Sequence, residues 1–187
     1  MTDKHIPGPM PYTKAGHLLN PLRGLILSPK KIVSRLHLKR GSKVLELGPG
    51  PGYFSPKVSK AIPEGKLILV DIQQEMLDMA KERLGKKGIS NVEYRIGDAT
   101  ALPVESESIG VVFLVSVLGE VPDRHACIGE IYRVLQKNGI LSITEFKFGD
   151  PDFISIEDLI KTVPSTGLKV HARYNGFFHY TANFIKS

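Results

Sequence analysis

Cysteine is nearly missing and tryptophan wholly so: the 187-residue chain has one cysteine, Cys127, and no tryptophan. A lone cysteine excludes an internal disulfide framework, an all-cysteine metal site and a paired-cysteine redox motif. No metal site is expected. No run of 18 or more apolar residues occurs, so no membrane-spanning helix is expected. The opening MTDKHIPGPMPY has no apolar stretch of the kind a secretory signal needs, and a reducing cytoplasm is the expected compartment. Acids are scarce at one end. Residues 1–43 carry nine Lys/Arg against Asp3 alone, whereas residues 44–187 carry 16 against 18 acids. A block of one sign ahead of a balanced remainder suits either a solvated helix face or contact with an anionic surface.

What is present reads as an ordinary globular chain, 42% apolar and 24% charged, enough to bury one core. A single domain over residues 1–187 is expected, with a basic arm and helix in 1–42 ahead of a core in 43–187. Ser28-Pro29 marks a helix start, Ser as cap and Pro at the first turn, and Ile32, Val33 and Leu36 then share a face. From Lys43 short apolar runs alternate with helical stretches. KVLELG, KLILVD, NVEYRIGD, GVVFLVSV and GILSITEF read as strands. Between them PGYFSPKVSKAI, QQEMLDMAKERL and RHACIGEIYRVL read as helices, with Met76, Leu77, Ala80 and Leu84 on one face and Ile128, Ile131, Tyr132 and Leu135 on another. Such alternation predicts βαβ units and a parallel sheet. After a short helix in ISIEDLIKTV, GLKVHARY and FFHYTANFIK flank Asn175-Gly176, a hairpin signal. The expected fold is therefore α/β, doubly wound: a seven-stranded, mostly parallel sheet with an antiparallel C-terminal strand pair and helices on both faces.

The chemistry is concentrated in VLELGPGPGYF. A strand ends at Leu47, and Gly48, Gly50 and Gly52 alternate before a helix. Glycine lets the backbone bend and approach a ligand with no Cβ between them. Helix N–H groups beyond the turn add a positive end. A dinucleotide fingerprint would need glycine at position 53, where Tyr53 stands, and the G-K-[ST] of a phosphate loop is absent. Two acids follow at the carboxyl ends of later strands, Asp71 in KLILVD and Asp98 in YRIGDA. Either alone suits a helix cap; together, at the ligand-binding edge of such a sheet, they suit a nucleoside.

The E-x-G-x-G-x-G form, Glu46 through Gly52, resembles the first motif of class I S-adenosylmethionine-dependent methyltransferases, and the likeness extends over roughly residues 28–187. It looks closest to the small-molecule methyltransferases of ubiquinone and menaquinone biosynthesis. The resemblance implies S-adenosylmethionine as donor and S-adenosylhomocysteine as product. By position, Glu46 would orient the turn or meet the donor's amino group, and Gly48, Pro49, Gly50, Gly52 and Tyr53 would form the cradle. Asp71 would hold the ribose hydroxyls, Asp98 the adenine amine, and Ile72, Met76 and Ala99 would pack on the base. Val115 and Ser116 would line the sulfonium. One departure is LVSVLGEV after the fourth strand, where these relatives often carry histidines.

Methyl transfer needs alignment above all, with a base only when the acceptor must lose a proton, so no catalytic acid or base is assigned. The segment after the fourth strand has neither the N/D-P-P-Y/F form of amino-methylating nucleic-acid enzymes nor a Pro-Cys nucleophile, and arsenite chemistry of the usual kind needs several cysteines. A small or lipid-like acceptor remains the expectation, nucleic acid being disfavoured. An RNA or protein methyltransferase and a non-catalytic donor-binding module are the alternatives. In the family the N-terminal segment closes over the site, making Tyr12, His17 and Asn20 pocket candidates beside Ser116 and Glu120. His17 has the ring for a base, or for mere packing. The leucine- and lysine-rich arm also suits an anionic membrane surface.

Overall fold

The structure, a computed structural model, describes residues 8–19, 27–147 and 151–187. One seven-stranded sheet takes in β1 (Lys43–Leu47), β2 (Lys66–Asp71), β3 (Val92–Ile96), β4 (Ile109–Val115), β5 (Leu135–Phe146), β6 (Leu168–Asn175) and β7 (His179–Lys186). Their order is β3-β2-β1-β4-β5-β7-β6. Strands β1 to β5 pair in parallel, and β7 lies antiparallel between β5 and β6. The helices are α1 (Ala15–Leu18), α2 (Pro29–Arg35), α3 (Ser55–Ala61), α4 (Gln74–Gly85), α5 (Arg124–Val134) and α6 (Ile156–Thr162).

The period-2 pleat sorts side chains between two cores. Val44, Leu67, Leu69, Val111 and Phe113 face one side, against Ile32 of α2 and Leu36 just after it, Val58 of α3, and Leu77 and Ala80 of α4. Leu45, Leu47, Ile68, Val70, Val112 and Leu114 face the other, against Ile128 and Ile131 of α5 and Leu159 of α6. Helices thus cover both faces, which is why the central strands read as unbroken apolar runs. Sequence order runs outward from β1 through β2 to β3, and the opposite way from β4 to β5. The reversal opens a crevice beyond the carboxyl ends of β1 and β4.

Three local expectations are corrected. Ser28 precedes α2, with Pro29 in its first turn, but its side chain makes no capping bond; the Ser28 carbonyl instead accepts from Ile32 N–H at 3.1 Å. Leu135 is not the last helical residue. It pairs with Ile109 as the start of β5, and a register shift then carries the strand to Ile140 opposite Val111. The β6–β7 turn has its tip at Phe177-Phe178 rather than Asn175-Gly176, because Asn175 still pairs with Tyr180 and Gly176 N–H donates to His179 O at 2.9 Å. Cys127 is buried in the core, and burial pushes its thiol up to about 12, so it is inert.

Candidate active site

The crevice holds a cavity of about 620 Å³ lined by the glycine turn, the ends of β2, β3 and β4, and part of the N-terminal arm. Gly48 and Gly50 have φ of +64° and +51°, the left-handed region that glycine enters without strain. Each also needs its missing Cβ. At Gly48 that atom would lie 2.5 Å from Val117 Cγ2, so the turn and the β4 loop touch there; at Gly50 it would fall 3.3 Å from Leu18 Cδ1, inside the cavity wall. Pro49 and Tyr53 line the cavity as well, but Gly52 does not. The Gly52 Cβ would sit 3.1 Å from Ala80 Cβ and from Leu84 Cδ1, so this glycine is there to let α4 pack close.

Glu46, on β1, shows only 2% of its surface and accepts from the Ser55 hydroxyl at 2.6 Å. Burial pushes its carboxyl up to about 8; the Ser55 bond opposes this and the nearby Asp71 charge adds to it. Asp71 ends β2, and its two oxygens accept from Gly50 N–H at 3.2 Å and from Gln73 N–H at 3.0 Å. Burial raises its pKa, and those backbone bonds pull the other way. The carboxylate therefore ties the glycine turn to the start of α4. Asp98, after β3, accepts from both the N–H and the hydroxyl of Thr100 at 2.7 Å, which hold its pKa below the usual range. Ile72 also lines the cavity, and 51% of its surface is exposed, a large apolar side chain at the rim. Met76 and Ala99 complete this end.

At the other end Val115, Ser116, Val117, Glu120, Phe146 and Asp152 line the wall. Ser116 has φ of +52°, and its buried hydroxyl has no hydrogen-bond partner among the described residues. A strained residue with an unsatisfied polar atom at a cavity wall is costly without a compensating contact. Asp152 is placed by the fold: Tyr180 OH on β7 donates to Ile154 O at 2.7 Å, and the Asp152 carbonyl occupies the space a Gly119 Cβ would need.

The arm covers the end of the cavity edged by Asp71 and the glycine turn. Gln73 clasps it with one side-chain amide, accepting from Tyr12 N–H at 3.0 Å and donating to Met10 O at 2.8 Å. Lys14 and Leu18, one helical turn apart, face the cavity together with residues 8–11. Tyr12 and His17, expected in the pocket, do not line it. Tyr12 meets the site through its backbone, and His17, between Lys14 and Leu18 on the helix, is turned to solvent. Asn20 lies outside the described residues. Gln73, Lys14 and Asp152 escaped sequence reasoning. Only Gln73, two residues past a strand-ending acid, sat beside a signal. Among the described residues no cluster of histidines, cysteines and acids could hold a metal, and no helix is long and apolar enough to cross a membrane.

A glycine turn, two strand-end aspartates and a cavity at the switch point suit a nucleoside-bearing ligand, and the comparisons make the chain a class I S-adenosylmethionine-dependent methyltransferase. Residues 38–176 match the family described as methyltransferase domain, and the chain belongs to that family. Residues of this chain are 37% identical over 111 positions to a ubiquinone/menaquinone biosynthesis C-methyltransferase of Cronobacter sakazakii, covering 58% of this chain and 44% of that protein. An arsenite methyltransferase of Halobacterium salinarum is 35% identical over 106 positions, covering 56% of this chain and 27% of the relative. The chain thus spans less than half the length of either. A structure described as a SAM-dependent methyltransferase from Aquifex aeolicus shares the fold at a TM-score of 0.90 and 23% identity, covering 96% of this chain and all of the other. Another, from Methanosarcina mazei, matches at 0.70 and 17% identity, covering 83% and 96%.

Proposed function

We propose that the protein transfers the methyl group of S-adenosylmethionine to a small-molecule or lipid-like acceptor. The observation that carries this is one continuous cavity. Its donor end is edged by Asp71, Asp98 and the glycine turn, and its other end is walled by Val117, Val121, Pro122 and Phe146. The residues fit the donor. Gly50 leaves backbone open where a side chain would intrude, Asp71 and Asp98 offer carboxylates to ribose hydroxyls and an adenine amine, and the exposed Ile72 offers a flat apolar contact. Bound there, the donor supplies a methyl carbon already activated by a positive sulfur.

The chain's own task is then alignment and exclusion of water. Gly48 and Gly50 set the depth of the donor's methionine part, and Glu46 offers a carboxyl that a nearby ammonium group would ionise. The Ser116 hydroxyl, without a partner among the described residues, is positioned to take a hydrogen bond from or give one to a ligand at the transfer end. Val117, Val121 and Phe146 keep the acceptor's surroundings apolar, and the arm clasped by Gln73 closes the donor side. The cavity wall suits a compact or greasy acceptor better than a polymer, and the single buried Cys127 offers nothing to arsenite. Incubating lysate metabolites and lipids with methyl-labelled donor tests the reading. A labelled small molecule or lipid is the expected product; label found only in RNA or protein would overturn it.

A further inference from the structure

A second groove, of about 530 Å³, lies outside the α/β crevice where the starts of α2 and α3 meet the far end of α4. Five cations line it, Lys30, Lys57, Lys60, Arg83 and Lys87, and no carboxylate does. None of the five forms an ion pair with a described residue, although the chain pairs cations elsewhere, as Arg40 with Glu64 and Arg133 with Glu130. Arg83 is half-buried, and its Nε is buried with no hydrogen-bond acceptor among the described residues. Such a donor normally finds a partner, and leaving it without one costs free energy. Like charges gathered in one concavity repel each other and focus a positive potential into it. Tyr53 lines both this groove and the cavity in the α/β crevice, so the two adjoin.

We infer that this groove binds a soluble compound bearing two or three linked phosphates. A single phosphate brings at most two negative charges, too few to balance five cations. Arginine and lysine are the side chains suited to phosphate oxygens, the guanidinium as a planar fork and the ammonium as a point charge. The lining favours a small anion over a bilayer. The cations come from three separate segments, residues 30, 57–60 and 83–87, around one open groove, and no large aliphatic side chain lies among them to enter a bilayer. None of these five side chains lines the donor cavity, so the inference stands whether or not the methyl acceptor is correctly assigned.

Isothermal titration of the full chain with tripolyphosphate, without divalent metal, tests this. Binding is expected at low salt, weakening steeply as ionic strength rises. In the double variant Lys60→Ala/Arg83→Ala it should weaken about tenfold or more, while affinity for S-adenosylmethionine stays unchanged. If that variant fails to fold, Lys57→Ala/Lys87→Ala, both exposed, the first on α3 and the second in the turn after α4, should show the same loss. Absence of tripolyphosphate binding, or binding that neither double variant weakens, would overturn the inference. So would association seen only with phosphatidylglycerol vesicles or only with single-stranded RNA.

Discussion

The Ser55 hydroxyl donates to the Glu46 carboxyl at 2.6 Å inside the fold, joining the strand before the glycine turn to the helix after it. Burial raises the Glu46 pKa from an ordinary 4.5 to about 8, so at neutral pH the folded, ligand-free protein holds this proton and the unfolded chain does not. The stability linked to that proton is fully present below pH 4.5 and is lost as pH rises through about 8. Glu46→Gln, which cannot ionise, should flatten the fall of melting temperature between pH 5 and 8. A variant that melts with the wild-type pH profile would show that Glu46 is ionised in the fold.

Donor binding should expel the same proton. An ammonium group brought near Glu46 favours its charged form. Titration calorimetry near pH 7 in buffers of different ionisation enthalpy should show proton release on S-adenosylmethionine binding by the wild type and much less by Glu46→Gln. Equal release by both would place the ammonium elsewhere.

Asp71→Ala removes the carboxylate that holds Gly50 N–H and Gln73 N–H, as well as the acceptor offered to the ribose. The loss of charge-assisted bonds predicts donor binding weaker by about 10- to 100-fold. Asp71→Asn should keep part of the backbone tether and lie between the two. Unchanged affinity in a folded Asp71→Ala protein would reduce this residue to a loop tie.

Gly48→Ala meets two obstacles, a φ of +64° and Val117 Cγ2 at 2.5 Å. Together they should cost about 2 kcal/mol or more, a fall of roughly 4–8 °C in melting temperature for a domain of this size. The steric part runs through Val117, so Gly48→Ala and Val117→Ala should be non-additive, the double variant more stable than their summed effects predict. Strict additivity would mean that the backbone angle alone carries the cost.

The sheet was legible because its central strands are buried on both faces and their neighbours are helices of 3.6-residue period. Leu45 and Ile68 could have no other reading. The cavity lining at this edge was legible as well, since Gly48, Gly50, Asp71 and Asp98 each sit at a fixed offset from a strand end. The arm was not. Whether His17 or Leu18 faces the cavity depends on the rotation of one short helix, which no apolar periodicity fixes over Ala15–Leu18. Asp152 was hidden for a different reason: its place depends on Tyr180 and Gly119, distant in sequence. The hairpin tip moved because Asn175 gained more from pairing with Tyr180 than from turning.

Gln73→Ala should free the arm, since one amide makes both bonds to it. Two hydrogen bonds of about 1 kcal/mol each predict product dissociation faster by roughly tenfold or more. Gln73→Glu keeps the acceptor for Tyr12 N–H but not the donor to Met10 O, and should fall between. Stopped-flow release of S-adenosylhomocysteine measures this; three equal rates would mean that the clasp does not limit release.

Removing the arm tests its purpose directly. Leu27 shows 1% of its surface and belongs to the core, so the cut must fall ahead of it, and deletion of residues 1–19 is the appropriate truncation. The sheet begins at Lys43, and among residues 8–19 only Ala15 is buried, so the shortened chain should fold. It should still bind S-adenosylmethionine, because Asp71, Asp98 and the glycine turn remain. The cavity, however, loses the wall made by residues 8–11, Lys14 and Leu18, and water reaches the donor end. Alignment and desolvation are worth several kcal/mol in a displacement of this kind, so turnover should fall by about 100-fold or more while donor affinity falls far less. Measuring both on the truncated chain separates the outcomes. Lost folding would make the arm structural, and full turnover would make it a tether. Turnover lost only with acceptors presented on vesicles would assign the basic arm to a membrane surface.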